Sequence, residues 1–170
     1  MKPLLPALAC IVLAACSAPE AGPRTGAPAP RFEAEYLDGS VRRFPDDYAG
    51  RPVILDFWAE WCRYCPDSMQ RIDRARREHA ATGIEVVAVN VGQDRAIAAA
   101  FIDRLGVGYS AVLDPAHTIA GRYGVRDLPV TFFIDPTGRI GGRIMGGGDD
   151  KALAAQLARI LPDEARDRAR

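Results

Sequence analysis

Lysine is almost missing from these 170 residues: only Lys2 and Lys151 carry it, so nearly all the positive charge is arginine. We read no function into that bias. Neither sign of charge dominates, because 22 basic residues face 22 acidic ones and the formal net charge is zero. A balanced chain lacks the basic footprint that a phosphate backbone demands, so no nucleic acid is expected as a partner. Histidine occurs twice, as His79 and His117, without the spacing of a metal pair, and both read as solvated helix or loop positions. Repeats at periods of about 20 to 50 residues are absent, which excludes a solenoid. What is present is ordinary for a packed globular chain about one domain long: 48% hydrophobic and 26% charged residues.

The first sixteen residues, MKPLLPALACIVLAAC, hold one lysine and then roughly a dozen apolar residues, against the ~20 a spanning helix needs. They fit the apolar core of an export signal. The closing LAAC resembles the lipobox of bacterial lipoproteins. That resemblance implies cleavage before Cys16, which becomes the first mature residue, thioether-linked to diacylglycerol and N-acylated. Cys10 fits less well, with Ala7 where leucine is usual and little apolar chain ahead of it. An ordinary secretory signal cut elsewhere is the alternative. Both readings put the mature chain outside the cytoplasm; the lipoprotein reading holds it to a membrane on the periplasmic side, by lipid only. Residues 17–30, SAPEAGPRTGAPAP, have almost nothing to bury and read as a flexible tether. The expected organisation is a signal at 1–15, a lipid-anchored tether at 16–30, one domain at 31–162 and a charged tail at 163–170. Of the four cysteines, only Cys62 and Cys65 then remain as thiols, so packing and not disulfide stapling must build the core.

Within the domain, RFEAEYLDGSVRRF alternates around Asp38-Gly39, a hairpin signal. PVILDFW and IEVVAVNV read as buried strands, PVTFFID as a third, and YSAVLD as a short one. From Cys62 to about residue 80, Cys65, Met69 and Ile72 recur at helical spacing, with the charges of RIDRARREHA on a wet face. DRAIAAAFIDRLG carries an Asp start and a Gly stop, PAHTIAGRYG reads as a short helix, and DDKALAAQLARIL as a last helix capped by Asp149 or Asp150. A turn at residues 135–138 leads into RIGGRIM. Strands alternating with helices and a closing hairpin imply an α/β fold, a mixed central sheet flanked by helices. The GGGDDK stretch lacks the Gly-Lys-Ser/Thr ending of a phosphate loop, and its two aspartates repel phosphate.

The chemistry gathers in VILDFWAEWCRYCPD, residues 53–67. A C-x-x-C pair is a redox dithiol, half a metal site or a passive disulfide. Structural zinc takes four ligands, and two thiols with two distant histidines do not supply them. Passive disulfides usually close longer loops than this one. The redox reading prevails. Cys62 lies where a strand meets a helix start, where free N–H groups and the helix dipole favour a thiolate, the form that attacks disulfides. Cys62 is therefore the expected exposed nucleophile, and Cys65, one turn on and among apolar residues, the buried resolving thiol. Arg63 adds positive charge nearby. Asp56 shares a strand face with Ile54 and Trp58, which predicts desolvation and a raised pKa, suited to accepting the Cys65 proton. A strand-end carboxylate that simply reaches water is the plainer alternative.

DFWAEWCRYC also resembles the active-site segment of thioredoxins. With the N-terminal hairpin, DYAGRPVILDFWAEWC and YGVRDLPVTFFIDPTGRI, residues 28–161 are similar to the TlpA/ResA-like branch of exported thioredoxin-fold proteins. The resemblance implies a thioredoxin fold with an N-terminal β-hairpin extension. It also implies a redox-active Cys62–Cys65 disulfide and a cis Leu128-Pro129 peptide facing it. Leu128 and Pro129 would then shape a groove for an extended substrate segment, beside the apolar surface of Trp61 and Tyr64. The expected activity is a disulfide reductase for exported proteins of the apocytochrome c or copper-site assembly kind, fed by a membrane electron-donor protein, acting as a monomer without cofactor. Three features depart from the family: Arg63-Tyr64 between the cysteines, Ser68 where some relatives carry Glu, and Pro66 directly after Cys65. The first bears on reduction potential, the second leaves acid–base work to Asp56, and the third disfavours helical geometry at Cys65. Two rivals stay open: a Cu(I) carrier using both thiolates, weakened because Met69 reads as core, and a dithiol oxidant with the same site. A peroxidase lacks a peroxidatic cysteine ahead of the pair.

Overall fold

A computed structural model describes residues 22–162. The export signal, Cys10, the Cys16 lipidation site and the 163–170 tail lie outside the described residues. Strands β1 (Phe32–Glu35) and β2 (Val41–Phe44) form the expected hairpin, with Phe32 opposite Phe44. The central sheet holds β3 (Val53–Trp58), β4 (Glu85–Val91), β5 (Ala111–Asp114), β6 (Val130–Ile134) and β7 (Ile140–Met145) in the order β5-β4-β3-β6-β7. The first three run parallel, while β6 and β7 are antiparallel to their neighbours. This is the mixed sheet and thioredoxin-like fold that the sequence implied.

Two of the four helices follow the capping signals. Asp94 caps α2 (Arg95–Leu105) by accepting from Ile97 N, and Gly106 ends it with φ +68°. Asp149 caps α4 (Asp150–Ile160) through Ala152 N. Between them lies α3 (Thr118–Arg122). Helix α1 (Cys65–Glu78) begins at Cys65, three residues later than the spacing predicted. Residues 62–64 instead form tight turns, in which Cys62 N donates to Ala59 O and Cys65 N to Cys62 O. Pro66 does not break the helix, because it sits in the first turn, where its missing N–H has no partner to lose.

Each face of the sheet has its own apolar layer, as strand alternation requires. Helices α1, α2 and α4 cover one face, where Ile54, Trp58, Cys62, Cys65, Met69, Phe101 and Leu157 pack together. The hairpin and α3 cover the other with Phe32, Tyr36, Phe44, Tyr48 and Tyr123 against Phe57 and Phe132. The tether boundary at residue 30 needs correction. Gly26 N donates to Ile140 O, Ala29 N to Gly138 O and the Tyr123 hydroxyl to Pro30 O, and Ala29 is buried. The proline-rich composition hid this, because extended backbone docks onto a sheet edge without needing apolar side chains.

Candidate active site

Strand β3 is buried along its whole length and delivers its C-terminal end to the turns before α1. There Cys62 and Cys65 form a disulfide, with Cα atoms 5.4 Å apart. Cys65 is fully buried, as the helical spacing predicted. Cys62 is only 4% exposed, which corrects the expectation of an open nucleophile: joined to Cys65, its sulfur is drawn into the apolar layer. The residues flanking it face outward instead, Trp61 at 67% and Tyr64 at 57% exposure. Exposed Arg63 lays its guanidinium 5.6 Å from the Tyr64 ring centroid, a cation–π contact that ties the charge to the rim.

Asp56 is fully buried on the face it shares with Ile54 and Trp58, the face on which α1 lays Cys65. Burial raises its pKa from 3.8 to about 7, and one hydrogen bond from Thr131 pulls the other way. The plainer reading, a strand-end carboxylate open to water, does not hold. Thr131 was missed from sequence. It stands directly across the β3–β6 ladder from Asp56, and its hydroxyl donates to Oδ1 at 2.7 Å while Oδ2 has no partner. The available signal was one polar residue inside the apolar run PVTFFID, two places after Pro129.

Leu128-Pro129 is cis, as the resemblance implied. Pro129 is buried and its carbonyl accepts from Gly146 N at 2.8 Å, while half-buried Leu128 packs against the layer holding both cysteines. Met145, 63% exposed at the end of edge strand β7, was also missed. A Cβ added at nearby Gly147 would stand 3.6 Å from the Tyr64 Cβ, which places the end of this strand beside the rim.

A second missed group holds the loop itself. Gln93 Oε1 accepts from Glu60 N at 2.7 Å and from the buried Asn90 Nδ2 at 3.0 Å, clamping the segment that leads into Cys62. Ser68 and Met69 are buried on α1. The histidines lie elsewhere: His79 ends α1, and His117 is exposed with its ring against Gly92. Among the described residues no group of three or more His, Cys, Asp or Glu could hold a metal ion.

Taken together, a dithiol at the mouth of a buried strand, a proton-binding carboxyl behind it and an apolar rim beside it suit exchange with a disulfide. Comparisons agree with that chemistry. Residues 25–142 match the model of the AhpC/TSA family. The thiol-disulfide oxidoreductase ResA of Geobacillus thermodenitrificans strain NG80-2 is 33% identical over 137 residues, 81% of this chain and 78% of that protein. A crystal structure from Chlorobium tepidum, assigned as a thiol:disulfide interchange protein DsbE, superposes with a TM-score of 0.74 at 31% identity, covering 81% of this chain and 98% of that one. The exposed lipoprotein thioredoxin of Streptococcus pneumoniae strain TIGR4 superposes with a TM-score of 0.66 at 28% identity, over 76% and 98%.

Proposed function

Since this chain belongs to the AhpC/TSA family and to the ResA-like thiol-disulfide oxidoreductases, we propose that its Cys62–Cys65 pair works as a disulfide reductase for exported proteins. The observation that carries the reading is the fully buried Asp56 behind a dithiol whose flanking Trp61 and Tyr64 face solvent. The Cys62 thiolate attacks a client disulfide, forming a mixed disulfide and releasing one client sulfur, which takes up a proton. Cys65 passes its proton to Asp56 and attacks the Cys62 sulfur. The intramolecular disulfide forms, the second client sulfur leaves as a thiolate and is protonated, and two electrons have moved to the client. Trp61, Tyr64, Leu128 and Pro129 supply the apolar surface against which an extended client segment lies, with Arg63 at its edge. A membrane electron-donor protein returns the pair to the dithiol.

Among the described residues no helix is long and apolar enough to cross a membrane; attachment in this reading comes from lipid on Cys16. Clients of the apocytochrome c or copper-site assembly kind fit a reductant outside the cytoplasm. Two measurements test the reading. Cys62→Ser abolishes reduction of a protein disulfide, and Cys65→Ser accumulates mixed disulfides on non-reducing gels; full turnover by Cys62→Ser would sink it. The reduction potential decides direction, because reductants of this fold lie near about −270 mV and strong oxidants near about −120 mV.

A further inference from the structure

Thr131 touches two things. Its hydroxyl donates to Asp56 Oδ1, and the residue lines a small cavity between α1, β7 and the start of α4. The cavity measures about 10 Å³, the space of one water. Its other polar walls are Ser68, Arg71, Gly147 and Asp149. Arg71 donates to Gly147 O at 2.6 Å and Asp149 caps α4; Asp149 is exposed and Arg71 and Gly147 are half-buried, which puts these three at the solvent side and buried Ser68 and Thr131 at the inner side. Ser68 is 4% exposed and its side chain has no partner among the described residues. A single water there would accept from the Ser68 hydroxyl and donate to Thr131 Oγ1, whose one proton goes to Asp56.

Asp56 needs such a contact. Its neighbours on the sheet face are apolar, Ile54, Trp58, Ala88 and Phe133 among them. Thr131 is the only side chain among the described residues hydrogen-bonded to it. Other titratable groups around this layer are Asp73, Arg71 and Arg76 on α1, Tyr109 before β5, and Asp149 at α4. Tyr109 feels the charges of Asp56 and Asp73, whereas Asp56 itself answers to burial and to Thr131.

We infer that Thr131 relays protons between Asp56 and solvent, through one water held in this cavity by Ser68. The inference rests on the proposed role of Asp56 as acceptor of the Cys65 proton. While Asp56 is ionised, the Thr131 hydroxyl donates to it. Once Asp56 has taken the Cys65 proton, it donates to Thr131 Oγ1, and the hydroxyl turns to donate to the cavity water, which passes the proton out past Arg71 and Asp149. Thr131 positions and relays; the reacting sulfurs never touch it.

The test uses the reduced full chain with Cys10→Ser and Cys16→Ser, so that Cys62 and Cys65 are its only thiols, and the aromatic disulfide dithiobis(nitrobenzoate), which releases one coloured thiolate when Cys62 attacks and a second when Cys65 resolves. Thr131→Val keeps the shape and removes the hydroxyl. It should leave the first phase unchanged, slow the second about tenfold at neutral pH and shift the pH midpoint of that phase upward, with Thr131→Ser restoring both. Ser68→Val fills the water space without touching the Asp56 hydrogen bond, and should slow the second phase alone; this variant carries the test if Thr131→Val does not fold. Wild-type second phases in Thr131→Val or in Ser68→Val overturn the relay. So does equal slowing of both phases, or failure of Thr131→Ser to restore the rate, since these mark a packing role. Failure of the reductase reading looks different, because there Cys62→Ser stays active.

Discussion

Asp56 binds a proton up to about pH 7 in the folded chain, but only to about pH 4 when unfolded. Between those values the folded state holds more protons, so stability falls as pH rises through this window and is flat above it. Asp56→Asn removes the burden of ionising a desolvated carboxyl. We expect the variant to match the wild type in chemical denaturation near pH 4 and to exceed it at pH 8 by up to roughly 4 kcal/mol. It should resolve mixed disulfides more slowly at the same time. Equal stabilities at pH 8 would show that Asp56 is not desolvated. The residue was legible in sequence because alternation along VILDFW puts it on the face of Ile54 and Trp58. Its partner Thr131 was not, since the two meet only through the antiparallel register of β3 and β6.

The element that matters most is the loop joining β3 to α1. It carries Trp61 and Cys62, and Gln93, ahead of α2, holds it from the side through Glu60 N. Without that amide the buried Asn90 loses its acceptor as well. Gln93→Ala should cost about 1 to 3 kcal/mol and speed amide hydrogen exchange at residues 59–62, with exchange in β6 unchanged. Protection equal to the wild type would mean that the clamp does not hold the loop. Helix boundaries were legible wherever a side chain announced them, as at Asp94 and Asp149. The start of α1 was misplaced because Cys62, Met69 and Ile72 keep an apolar rhythm through turns as well as through helix.

On the scale of the whole molecule, two layers divide the labour. The dithiol, Asp56 and three helices occupy one face, and the aromatic cluster beneath the hairpin stabilises the sheet from the other. The strip from Gly26 to Pro30 belongs to that second layer, through bonds to Gly138, Ile140 and Tyr123. A chain truncated to begin at Arg31 should therefore melt about 5 °C or more below one beginning at Gly22. Both should retain the same Cys62 reactivity, because the strip lies on the opposite face. Identical melting would restore the tether reading for residues 26–30.

Local rules decided a great deal about this protein from sequence alone. The strands at β3, β4 and β6, the capped helices, the hairpin turn at Asp38-Gly39, the paired cysteines and the carboxyl behind them all depend on neighbours within one or two turns of chain. Tertiary structure decided what residues distant in sequence do to one another: Thr131 on Asp56, Gln93 on Glu60, Arg71 on Gly147, and Met145 brought toward the rim. Sheet register and helix docking set those contacts, and both are settled by how two whole layers pack, a property that no short window of residues contains.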